Sequence, residues 1–267
     1  MKNSERFTNR VAYYVKYRPS YPQAYLDYLV KEACFNASSV VADIGAGTGI
    51  LSKLLAARVN TVYAIEPNSQ MRLAAEEYCK DARNVAVVNG SAEATTLPDS
   101  SVDFITAAQA FHWFKLEEAR QEFGRILKPR GKVALAWNVR DTTSLFGREY
   151  ESLLKLFCKD YHSSGGGPTE NLAYRLLFKN AEYENRVFPN DRQIDQETLL
   201  GYALSTSYAP VRGDANYPTF IKSLMEIFEK YAENGRLTLA MTTQSYVGEI
   251  EHQAAAGPAP ERLSPSF

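Results

Sequence analysis

Five residues combine types and spacing that could do chemistry: Asp43, Gly45, Gly47, Gly49 and Glu66. The first four lie in VVADIGAGTGILS, residues 40–52. Alternating glycines let a backbone turn tightly and come close to a ligand. Glu66 ends the apolar run TVYAIEPN, 17 residues after Gly49. A carboxylate at the end of a neighbouring strand can accept two hydrogen bonds from ribose hydroxyls. A nucleotide-type ligand is therefore expected at residues 40–68. Two more groups suit an acceptor of a reaction. Arg18 can clamp a carboxylate through two bonds, with a structural salt bridge as the alternative. His112, in FHWF at 111–114, can orient an acceptor, take its proton or simply bond a backbone carbonyl.

The elements that must position these residues are legible as alternating patterns. Short apolar runs predict strands at 39–44, 61–66, 84–89, 102–108 and 132–138. Helical spacing predicts helices at 22–34, 48–57, 68–80 and 115–127, with Asn68 as an N-cap and Pro129 and Gly131 closing the last one. Right-handed crossovers place such strands in one parallel sheet. After Asn138 the rhythm changes. A helix is expected near 145–160, a flexible break at 163–169 and another helix at 170–179. Strands are expected at 183–189 and 236–243, with amphipathic segments at 195–206 and 216–232 between them. The Pro-containing, apolar-poor stretch 251–267 is expected to be a disordered tail.

Composition excludes several function classes. The 267 residues are 45% hydrophobic and 23% charged, with a net charge of −1, so the whole chain offers no electrostatic case for nucleic acid. No apolar run approaches a membrane span. The first residues lack the apolar core of a signal peptide. Cys34, Cys79 and Cys158 are odd in number and far apart, which fits reduced cysteines and a cytoplasmic location. No metal-ligand spacing joins the three histidines. Residues 1–20 carry Lys2, Arg6, Arg10, Lys16 and Arg18 against Glu5, a net +4, which favours an anionic acceptor.

The G-x-G-x-G pattern after Asp43 has Ile50 where a dinucleotide fold places its third glycine, which argues against a nicotinamide oxidoreductase. It resembles the first motif of the class I S-adenosylmethionine-dependent methyltransferases. YVKYRPSYP at 14–22, the stretch 84–114 and RILKPRGKVALAWN at 125–138 resemble the small-molecule subgroup that includes trans-aconitate methyltransferase. The resemblance implies an α/β, Rossmann-like sheet of seven strands, mostly parallel with an antiparallel last strand, plus inserted helices forming a cap. It implies one domain over 1–250, with an N-terminal lid at 1–21 and cap elements within 139–235.

It further implies S-adenosylmethionine as the cofactor. Gly45, Gly47 and Gly49 would approach its methionine and ribose. Asp43 would sit near the methionine amino group or a bridging water, or else cap the turn. Glu66 would hold the ribose, and Pro67 or Met71 would cover an adenine face. Ser91 and the Ala92 backbone would meet the adenine edge, with Glu93 as a stand-in or a solvent-facing group. Gln109 would line the methionine end. The implied partner is a small molecule, with a carboxylate-bearing acceptor preferred. A lipid-like or quinone-like acceptor and a non-catalytic cofactor-binding protein are the alternatives. The Asn/Asp-Pro-Pro-aromatic signature of many base and protein methyltransferases is replaced by Ala108-Gln109-Ala110-Phe111.

Overall fold

The computed structural model describes residues 11–159, 161 and 172–251. The expected break at 163–169, the first ten residues of the expected lid and the expected tail beyond Glu251 lie outside the described residues.

The apolar runs become the strands β1 (Val40–Ile44), β2 (Thr61–Ile65), β3 (Val85–Val88), β4 (Val102–Ala108) and β5 (Leu127–Arg140). Later come β6 (Glu184–Pro189), β7 (Arg192–Ile194), β8 (Leu237–Leu239) and β9 (Met241–Glu249). Seven form one sheet in the order β3-β2-β1-β4-β5-β9-β6. The pairs among β1 to β5 are parallel, and β9 runs antiparallel to both β5 and β6. The expected α/β sheet with one antiparallel strand is present. Strand order reverses between β1 and β4, which opens a crevice at their carboxyl ends.

Helices cover both faces, as buried parallel strands require. On one face, α2 (Gln23–Lys31) and α3 (Ile50–Ala56) place Tyr25, Leu29, Leu51 and Leu55 against Val41, Val62 and Phe104. On the other, α5 (Leu116–Ile126) and α7 (Leu172–Leu177) bring Phe123, Ile126, Tyr174 and Leu177 onto Ile44, Ile105 and Trp137. The helix α4 (Ser69–Cys79) starts at Asn68, whose side chain accepts from the Gln70 and Met71 amides, as expected of an N-cap.

A third apolar cluster belongs to the cap. It joins α6 (Leu145–Phe157), α8 (Gln196–Leu204), α9 (Tyr217–Tyr231), β7 and β8 through Tyr150, Leu154, Leu199, Tyr202, Phe220 and Leu224. A short N-terminal helix, α1 (Val11–Tyr17), seats on this cap. A Cβ on Gly201 of α8 would fall 2.1 Å from the Tyr17 ring, so only glycine permits that seat. Lys16 and the Tyr17 hydroxyl both reach Glu197, at 2.7 and 2.6 Å.

Two boundaries differ from the sequence reading, and one helix lies where it assigned no element. The strand expected at 236–243 is two strands: β8 pairs with β7 in a separate two-stranded sheet, and β9 joins the main sheet. Alternation continues from one to the other, so periodicity carries no mark of the change of partner. Pro129 and Gly131 lie inside β5 rather than closing a helix, across a register shift between Val102 and Phe104. The segment at 11–17 is helical because tertiary contacts hold it; seven residues are too few to be stable alone.

Candidate functional site

The turn after β1 places Gly45, Gly47 and Gly49 at φ +68°, +58° and +81°, in the left-handed region. Their neighbours differ. A Cβ on Gly45 would lie 2.6 Å from the Ala110 Cβ, and one on Gly49 would lie 2.8 Å from the Cys79 Sγ. A Cβ on Gly47 would meet only the Tyr14 ring, at 3.7 Å. Gly49 thus allows α3 and α4 to pack closely and Gly45 lets the turn pass close to Ala110, while the backbones of Gly45 and Gly47 also border an open space.

That space is a cavity of about 750 Å³ over the crevice of the sheet. Gly45, Gly47, Glu66, Pro67, Met71, Ser91, Ala92 and Gln109 all line it. These are eight of the ten residues expected to hold a cofactor. The other two, Asp43 and Gly49, are absent from the cavity wall. Asp43 is 1% exposed and accepts from the Ser52 hydroxyl at 2.6 Å and the Thr106 hydroxyl at 2.8 Å. It ties α3 and β4 to β1 beneath the glycine turn.

Glu66 is the buried carboxylate of the wall. Its Oε2 accepts from the Gly47 amide and its Oε1 from the Asn68 amide, each at 2.9 Å. Each oxygen has a lone pair left for a further donor. Burial raises its pKa, against these two amide bonds, which favour the charged form. The Gln109 backbone is left-handed, at φ +57°, and its Nε2 donates to the Asn138 carbonyl at 3.0 Å. Glu93 also lines the cavity and accepts from the Lys115 amide at 2.9 Å at the start of α5.

The sequence reading did not assign Asn68, Ala108, Ala110, Trp113, Phe114 or Lys115 to this wall. Trp113 and Phe114 had a signal, since aromatic residues just past a strand at the switch point stand beside the ligand crevice. Tyr14, within the stretch expected to form the lid, closes the cavity opposite Gly47.

Arg18 and His112 are off this wall and near one another. The Arg18 guanidinium lies 4.8 Å from the Tyr14 ring centroid, and its Nη2 donates to the Ser205 carbonyl at 3.4 Å. His112 keeps exposed surface yet is closely surrounded by protein. That desolvation, and then the Arg18 charge, lower its pKa to about 4.

The charge state of Asp43 has a measurable consequence. Burial raises its pKa from 3.8 to about 6, outweighing the Ser52 and Thr106 bonds. The folded chain then keeps a proton that the unfolded chain releases between pH 3.8 and about 6. Stability contributed by this proton is complete at lower pH, falls as pH rises through that window, and is lost above it. Asp43→Asn is expected to remove a decline of about 3 kcal/mol. Urea unfolding from pH 4 to 8 measures it, and an unchanged slope would assign the decline to other groups.

Residues 42–135 match the model of the methyltransferase domain. The fold is that of the S-adenosylmethionine-dependent methyltransferases. An uncharacterized methyltransferase-like protein of Schizosaccharomyces pombe is 36% identical over 155 residues, 58% of this chain and 59% of its own. An inferred S-adenosylmethionine-dependent methyltransferase of Saccharomyces cerevisiae is 32% identical over 127 residues, 46% of this chain and 43% of its own. The aligned part is less than two thirds of each of these relatives. The structure of a proposed type II methyltransferase from Anaeromyxobacter dehalogenans shares the fold, with a TM-score of 0.64 at 23% identity, over 88% of this chain and 99% of that one. The matched stretch 42–135 contains every expected cofactor residue and His112, while Arg18 precedes it. Among the described residues, no helix is long and apolar enough to cross a membrane.

Proposed function

We propose that the protein transfers a methyl group from S-adenosylmethionine to a small molecule that bears a carboxylate. The observation that carries the cofactor half is Glu66, a buried carboxylate that bonds the Gly47 amide and lines the cavity beside that glycine. The site suits this cofactor. Two glycines leave room for close approach, Glu66 has free lone pairs for the ribose, and Met71 with Pro67 offers a surface for the adenine. Ser91 and Ala92 stand at the adenine edge, and Gln109 at the methionine end. Asp43 and Gly49 shape the loop from behind. The cofactor supplies an electrophilic methyl on a sulfonium; the acceptor atom gains it and sulfur keeps the electron pair.

The remaining work falls to this chain. Tyr14 and α1 cover the glycine loop and exclude water. Asn138 donates to the Ser20 carbonyl at 3.2 Å and so fastens the end of this lid to β5. Arg18 is the acceptor-facing cation. A carboxylate is ionised at neutral pH and needs no base, so alignment and desolvation suffice. His112 is then a wall of the acceptor site and not a titrating base. The rate is expected to be level between pH 6 and 8 in the wild type and in His112→Gln alike, because a pKa of about 4 leaves the imidazole neutral throughout. A histidine-like rise that vanishes in His112→Gln would contradict this role. The activity itself is tested with labelled S-adenosylmethionine and pooled small metabolites, followed by identification of the product. A labelled carboxylate ester supports the reading; a labelled lipid or quinone ether, or no labelled product, refutes the acceptor class.

A further inference from the structure

The cap contains a second set of ionisable groups that the cofactor site does not use. Arg140 ends β5 and is buried. Its Nη2 donates to the Tyr161 hydroxyl at 3.0 Å and to Glu151 Oε2 at 3.4 Å, and the Arg140 side chain also bonds the Tyr208 hydroxyl. Its guanidinium lies 4.9 Å from the Tyr150 ring centroid. Tyr202 and Tyr208 also face it. Tyr150 is 0% exposed, and its hydroxyl has no hydrogen-bond partner.

Arg18 reaches the same set from the lid. Its guanidinium is 6.0 Å from the Tyr202 ring centroid, and its charge acts on Tyr208, as that of Arg140 does. The Arg18 Nε is buried with no partner. Among the described residues no carboxylate lies within ion-pair distance of Arg18, while Glu151 serves Arg140 and also accepts from Tyr161 at 2.6 Å. Arg18 is thus left without a carboxylate, and Glu151 is divided between Arg140 at 3.4 Å and Lys155 at 3.6 Å. Unpaired charge and unbonded donors are costly in such surroundings, and an oxyanion would satisfy both.

The cluster adjoins the cofactor cavity. Asn138 and Arg140 are two residues apart on β5, so their side chains share a face of the sheet. Gln109 of the cavity wall bonds the Asn138 carbonyl.

We propose that Arg18, Arg140, Tyr202 and Tyr208 form the subsite that binds an oxyanion of the methyl acceptor, with Arg18 as its outer arm and Arg140 as its inner one. This rests on the methyltransferase reading above and adds where the acceptor is held. The chemistry recognised is a carboxylate or a phosphate.

Calorimetry on the full chain loaded with S-adenosylhomocysteine tests it, with hexanoate, neutral hexanamide and inorganic phosphate as probes. Hexanoate should bind at least about tenfold more tightly than hexanamide, the least expected of a charged hydrogen bond. Arg18→Met, Tyr208→Phe and Arg140→Lys should each weaken hexanoate about tenfold or more, and leave S-adenosylhomocysteine affinity within about twofold. Arg140→Lys keeps the buried charge, and so the fold, while losing the planar fork. Phosphate that displaces hexanoate at lower concentration also supports the subsite and assigns it to phosphate-bearing acceptors. Equal binding of hexanoate and hexanamide, or any of the three variants binding hexanoate as the wild type does, overturns the proposal. Failure of S-adenosylhomocysteine to bind the wild type would instead refute the cofactor reading.

Discussion

Gly47→Val is expected to abolish binding of S-adenosylmethionine while the sheet stays assembled. Gly47 sits at φ +58°, where a side chain costs about 1–2 kcal/mol in backbone strain. Its first carbon would stand 3.7 Å from the Tyr14 ring, which is ordinary contact, so protein packing survives. The γ carbons of valine would reach past that contact into the cavity that Gly47 and Tyr14 line, the space proposed above for the cofactor. The neighbouring glycines make useful contrasts. Substitution of Gly45 or Gly49 forces a carbon to within 2.6 or 2.8 Å of Ala110 or Cys79 and damages packing as well as binding. Calorimetry with S-adenosylhomocysteine measures the loss, and circular dichroism checks the fold in parallel. A folded variant with normal affinity would remove the Gly47 backbone from the site.

Glu66→Ala is expected to weaken the cofactor by about ten- to hundredfold, the worth of a charged hydrogen bond of roughly 1.5–3 kcal/mol. Two effects combine here. In the proposed site the ribose loses its acceptor, and the Gly47 and Asn68 amides lose the oxygens that hold them in place. Glu66→Gln separates the two effects, because one amide oxygen can still accept from Gly47 while the charge is gone. It should fall between wild type and alanine. Equal affinities for all three proteins would place Glu66 outside cofactor recognition.

The contrast between Glu66 and Asp43 shows what could be read from the chain. Both are carboxylates at strand ends near a glycine turn, and spacing alone makes both candidates for the ligand. In the structure Glu66 stands on the cavity wall, whereas Asp43 is taken up by Ser52 and Thr106. Thr106 lies 63 residues away on β4, and no local pattern announces that partnership. Gly49 behaves likewise. Its conformation was legible, but its closeness to Cys79 depends on how α4 packs. The second half was less legible because its strands leave one sheet for another without a break in alternation, as β8 and β9 do.

The sequence by itself determined the parallel α/β core, the glycine turn between β1 and α3, the carboxylate ending β2 and the Asn68 cap of α4. Each depends on residues close in the chain, through apolar period, backbone freedom at glycine and side-chain capping. Only the tertiary structure decided which polar groups face the cavity, that α1 seats on Gly201, and that Arg140 is buried with Glu151 among tyrosines of the cap. Burial and hydrogen-bond pairing are set by residues brought together from distant parts of the chain, and those contacts leave no periodic trace in either partner's own segment.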